Sequence, residues 1–139
     1  MPRNYPRNSA EAASRIVAMT MITDANLDDG EIAAVDELRL YELLGLTRGR
    51  FLDVVRDYCE DLMAEGKPGG RVRLLDPRRI DFIADHVDDR RLRVALCAMM
   101  LNIIAADGAL REAELAVLNR VLARWGLTLE DLSRELAVH

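Results

Sequence analysis

Apolar positions in this chain recur at spacings of three and four, and no segment keeps a period of two long enough to read as a strand. Asn8 and Glu11 stand at capping-box spacing and predict a first helix running to about residue 25. From Ile16 to Ile22 that helix is apolar almost all round, so it must be buried. Asp28 and Glu31 open a second helix that ends near Leu44, where Gly45 stops it. Thr47 caps a third, over about 48–64. After a loop at 66–71, Asp76 followed by Pro77 marks a short helix over about 77–86. Asp88 or Asp89 caps a fifth, about 90–106, whose second half is again nearly all apolar. A sixth covers about 111–125 and stops at Gly126; Thr128 and Asp131 start a last one over about 129–137. The expected fold is all-α, with about seven helices.

An internal repeat organises these helices. Leu44-Gly45-Leu46-Thr47 returns 81 residues later as Trp125-Gly126-Leu127-Thr128. Asp24, Leu27 and Glu31 return 83 residues later as Asp107, Leu110 and Glu114. Each copy is a three-helix unit whose first helix is too uniformly apolar to be buried within its own unit. The first and fifth helices are therefore expected to pack together at the centre of one domain. The boundaries read as a flexible arm at 1–7, then a single domain at 8–139. Within it, repeat one spans 8–65, a connector 66–88 and repeat two 89–139.

Length and composition fit that picture. A chain of 139 residues can bury roughly two-thirds of its surface without disulfides or metal staples. The balance of −5 argues against a basic duplex-binding module, so no nucleic-acid partner is expected. Cys59 and Cys97 are too far apart for a CxxC motif and read as buried free thiols, which suits a reducing cytoplasm. His86 and His139 are too few for a histidine metal site or a catalytic triad. The longest apolar run, Val94 to Ala106, has 13 residues and includes Asn102, short of the roughly 20 that a spanning helix needs. The first residues lack the apolar core of a signal peptide.

Charge is concentrated in two matching corners, Asp24–Glu31 and Asp107–Glu114. Together they carry seven carboxylates against Arg111, a balance of −6 that leaves +1 on the remaining chain. An EF-hand does not fit. With Asp24, Asn26 and Asp28 at loop positions 1, 3 and 5, position 6 is Asp29 where glycine is required, and position 12 is Val35. Setting Gly30 at position 6 puts Ala25 and Leu27 at positions 1 and 3. Glu31 and Glu114, with Asp28, Asp29 and Glu112, also suit the positive N-terminal ends of the helices they open and need no ligand for that. Asp24 and Asp107 fall at helix ends whose dipole repels a carboxylate, in both copies. A bound cation, or the N–H groups of the next helix, would compensate them. A donor set of oxygens alone selects Ca²⁺ or Mg²⁺ ahead of Zn²⁺.

Ile104-Ala-Ala-Asp-Gly-Ala-Leu110 with Glu114, a buried helix ending in Asp-Gly and leading to a Gly-Leu stop, resembles the tellurite-resistance TerB-like family. The likeness extends over about residues 8–137. It also takes in the TerB-like domain of membrane-anchored J-domain co-chaperones. The first copy departs from the motif, with Asp24-Ala25 in place of Asp-Gly. The resemblance implies a seven-helix fold and a divalent cation, Ca²⁺ first, held by Asp24, Glu31, Asp107 and Glu114, with Asp28, Asp29 and Glu112 secondary. It implies a non-enzymatic, metal-responsive adaptor among stress-response or membrane-associated partners. The location would be the cytoplasm, at the inner membrane face, where peripheral contact is allowed. Two other readings stand beside it: a metal-independent interaction scaffold or co-chaperone-like module, and a metal-dependent hydrolase built on paired carboxylates. For the last, Ser9, Ser14, Ser133 and the histidines form no legible nucleophile–base pair.

Remaining features read as structure. Arg71, Arg73, Arg78, Arg79, Arg90, Arg91 and Arg93 form a basic belt that can pair with Asp76, Asp81, Asp85, Asp88 and Asp89, or face an acidic partner or phospholipid. Asn102 reads as a satisfied core amide. Met19, Met21, Met99 and Met100 read as core, and Trp125 as packing the end of the sixth helix.

Overall fold

The computed structural model describes residues 4–22, 40–65, 76–105 and 112–137. These form seven helices and no strand: α1 (Ala10–Met21), α2 (Leu40–Leu43), α3 (Arg48–Glu65), α4 (Pro77–Ala84), α5 (Arg90–Ala105), α6 (Glu112–Trp125) and α7 (Leu129–Ala137). The all-α expectation holds. No helix among the described residues is long and apolar enough to cross a membrane.

The first helix, apolar almost all round from Ile16, occupies the centre. Every residue from Ala12 to Ile22 is buried, and α1 packs against α3, α4, α5 and α6. The expected contact between the first and fifth helices is present. Around it, α3 turns inward Phe51, Val55, Tyr58 and Leu62, a spacing of four, three and four that keeps one stripe on one face. From α6, Val117, Leu118, Val121, Leu122 and Trp125 do the same. Helix α5 contributes Val94, Leu96, Cys97, Met99, Met100, Ile103 and Ile104. Helix α4 packs on α6, α7 on α5, and α2 on α3. All four methionines expected in the core are buried there.

Local details differ from the expectation at three places. Helix α1 is capped by Ser9, whose Oγ accepts from the Ala12 N–H at 3.1 Å, one residue later than predicted. It stops at Met21, with Ile22 as C-cap, short of the predicted end near residue 25. Thr20, Ile22 and Thr23 are β-branched and give up rotamer freedom in a helix, which weakens continuation there. Asn102 is exposed, because α5 turns Ile103 and Ile104 inward and the position before them faces out.

The predicted Asp28–Glu31 cap lies outside the described residues; the caps of α4 and α5 fall where the sequence puts them. Asp76 accepts from the Arg78 N–H at 3.0 Å with Pro77 in the first turn. Of the two candidates for α5, Asp89 is the cap, accepting from the Arg91 N–H at 3.1 Å.

Candidate functional site

Of the acidic corner residues, Asp24, Asp28, Asp29, Glu31 and Asp107 lie outside the described residues. Glu112 and Glu114 belong to the described part of α6. Among the described residues no group of three or more His, Cys, Asp or Glu is placed to hold a metal ion.

The repeat itself is visible in backbone geometry next to each corner helix. Gly45 has φ +82° and Gly126 φ +68°. The Gly45 N–H donates to Glu42 O and the Leu46 N–H to Tyr41 O; 81 positions on, Gly126 donates to Ala123 O and Leu127 to Leu122 O. This is the Schellman pattern in both copies, with glycine where the chain turns left-handed. Thr47 Oγ1 then accepts from the Arg50 N–H and Thr128 Oγ1 from the Asp131 N–H, each at 3.1 Å. The two repeats use one stop–turn–restart device.

Side chains between α4 and α6 form a charged ladder. Asp81 and Asp85 are four residues apart on α4, and Arg120 and Arg124 four apart on α6. Each pair closes bidentately, Arg120 on Asp81 at 2.9 and 2.7 Å and Arg124 on Asp85 at 2.8 and 2.7 Å. Those hydrogen bonds hold both carboxyls below their ordinary range and raise both guanidinium values. The expectation that these aspartates serve the basic belt is therefore corrected: α6 supplies their bidentate arginines. Asp76 and Asp89 cap helices instead. Within the belt, Arg79 is buried, and Arg93 donates from Nε to Val87 O at 2.8 Å while lying 5.3 Å from the Trp125 ring centroid. Arg71 and Arg73 lie outside the described residues. Trp125 is buried and its Nε1 donates to Ala84 O at 3.0 Å, so it packs the end of α6 as expected.

The free thiols differ in burial. Cys97 is fully buried, and desolvation pushes its pKa up to about 12, which leaves it an inert thiol. Cys59 is half-buried, with the same direction of shift.

Two features escaped the sequence reading. Residues 4–7, read as part of a flexible arm, reach back to the turn between α4 and α5. Asn4 Oδ1 is 2.7 Å from His86 Nε2, whose Nδ1 is 2.7 Å from Phe82 O. Arg7 lies 3.4 Å from Asp88. Asn8, at φ +61°, donates its N–H to His86 O at 2.8 Å and accepts at Oδ1 from the N–H groups of Asp88 and Asp89. Its Nδ2 donates to Asp88 Oδ1 at 2.6 Å, which helps hold that carboxyl below its ordinary range. Asn8 thus serves the start of α5 and leaves the α1 cap to Ser9.

The second is Arg15, a cation only 1% exposed in the central helix. Its guanidinium lies 4.6 Å from the Tyr5 ring centroid and 5.7 Å from that of Phe82. Burial lowers its pKa, opposed by Tyr5, Asp61 and Tyr58. A charged residue directly before the apolar run from Ile16 to Ile22 was the available signal for Arg15. For the ladder, the signal was the matching four-residue spacing of the two pairs.

Comparisons of the chain with protein-family models, with curated proteins and with solved structures found no match.

Proposed function

We propose that this chain is a non-enzymatic adaptor of TerB-like type whose two acidic corners hold a divalent cation, Ca²⁺ ahead of Mg²⁺ or Zn²⁺. The observation that carries the reading is the duplication of a strongly acidic turn, −6 over two windows, beside an otherwise nearly neutral chain. Duplicated helix stops at Gly45 and Gly126 support treating the two corners as counterparts. In this reading Asp24, Glu31, Asp107 and Glu114 supply oxygen ligands, with Asp28, Asp29 and Glu112 beside them. The cation offsets their mutual repulsion and steadies the corners for docking to stress-response or membrane-associated proteins at the inner membrane face.

A second reading has an observation of its own. Asp76, Asp89 and Asp131 all accept from backbone N–H groups at helix starts. Acids in the corners would do the same in a metal-independent scaffold. Calorimetric titration of chelator-treated protein with Ca²⁺, Mg²⁺ and Zn²⁺ separates the two. The adaptor reading expects heat and thermal stabilisation by Ca²⁺ that disappear in the Asp24→Asn/Asp107→Asn double variant. No heat and no stabilisation at about millimolar cation, the weak end of the Ca²⁺ range, would leave the scaffold.

A further inference from the structure

We infer that residues 4–8 form a displaceable clasp whose opening uncovers the buried cation Arg15. The segment precedes α1, yet its hydrogen bonds reach across the fold to the turn at 86–89. Asn4 meets His86; Asn8 meets His86, Asp88 and Asp89; Arg7 meets Asp88. The side-chain bonds lie at exposed positions, where water replaces each partner at small net cost. All of them end on one turn, so they break together.

Beneath the clasp the balance runs the other way. Tyr5, half-buried, lies against the Arg15 guanidinium, which is nearly wholly removed from water. Lifting the arm gives up a cation–π contact and returns hydration to a buried charge. Weak, exposed fastenings over a desolvated cation are the conditions for local opening below the global unfolding free energy. The clasp therefore gives the chain a second conformation, with Arg15 and the Phe82 ring open to solvent and the rest of the helical core in place. This conformation does not depend on any cation at the acidic corners.

Hydrogen exchange and arginine labelling of the chain test this. The amides of Asn8, Asp88 and Asp89 should exchange as one group, at least about tenfold faster than the amides of Ile16 to Met19 in α1. Asn4→Ala, which touches none of those three amides, should speed all three by roughly fivefold, the worth of one ordinary hydrogen bond. Asn8→Ala should raise labelling of Arg15 by an arginine-selective dicarbonyl several-fold, while exchange in α1 stays unchanged. The inference is overturned if the three amides exchange only at the rate of the α1 amides in the unmodified chain. It is equally overturned if Asn4→Ala leaves them untouched, or if Arg15 labelling rises only in step with α1 exchange.

Discussion

The two Gly-Leu-Thr corners share a backbone and differ in what holds them. At residues 125–128, Trp125 is buried and hydrogen-bonded to Ala84 O, and Leu127 is buried. Thr128 and Asp131 also cap reciprocally, the Thr128 N–H donating to Asp131 Oδ2 at 3.0 Å. At residues 44–47 the anchor is Leu44, Leu46 is half-buried, and Leu43 is 70% exposed. The place of Asp131 is taken by Arg50, which pairs across to Glu11 at 3.7 Å. Glycine and threonine are enough to repeat the turn. The neighbours decide how firmly it is tied down.

The largest expected contrast is in the anchors. Trp125→Ala should cost about 3–5 kcal/mol by cavity formation and loss of the bond to Ala84. Leu44→Ala should lie near the lower end of about 2–5 kcal/mol, because its site borders solvent. Equal losses in urea denaturation would break the comparison.

Glycine should show the opposite, near-identical behaviour. A Cβ at Gly45 or Gly126 meets nothing within 4 Å, so only the left-handed backbone is penalised. Gly45→Ala and Gly126→Ala should each cost about 1–2 kcal/mol. A difference well above 1 kcal/mol would show that one corner is strained beyond its backbone angle.

Smaller still are the caps, about 1 kcal/mol for Thr47→Ala or Thr128→Ala. Double-mutant cycles should find Thr128 coupled to Asp131, and Thr47 uncoupled from the Arg50 side chain.

The smallest effect is acid sensitivity. Hydrogen bonds from Thr128, backbone first, hold the Asp131 carboxyl below its ordinary range. A depressed folded-state value means the stabilisation is complete above the unfolded-state value, near pH 4, and is lost as pH falls through the lower one. Asp131→Asn should flatten the stability profile below about pH 4. Arg50→Gln at the first corner should leave that acid limb unchanged.

How much was legible in the sequence follows from the same contrast. Helix starts and stops depend on one or two residues acting on adjacent backbone, so Thr47, Asp76, Gly45, Gly126 and Thr128 could be read directly. Burial of α1 and of most of the second half of α5, and their mutual contact, followed from the nearly all-apolar stretches that each contains. Asn8 could not be read in this way. Two groups competed for its side chain, and the start of α5, 80 residues away in sequence, prevailed over the adjacent α1. Asp81 and Asp85 were likewise readable as acids on one helix face. That α6 carries the matching arginines into register depended on packing.

Of the candidate metal site, the sequence offers the residues and the duplicated pattern, and the structure describes Glu112 and Glu114 as part of α6. The sequence by itself also indicated the described helices, the caps at Thr47, Asp76 and Thr128, and the repeat, because those follow from short-range hydrogen bonding and periodicity. Only tertiary structure decided that the Arg15 side chain is buried, that an asparagine before α1 serves α5, and that Trp125 ties its corner to Ala84. Each depends on surfaces that are distant along the chain and meet only when the apolar faces of the helices have been brought together.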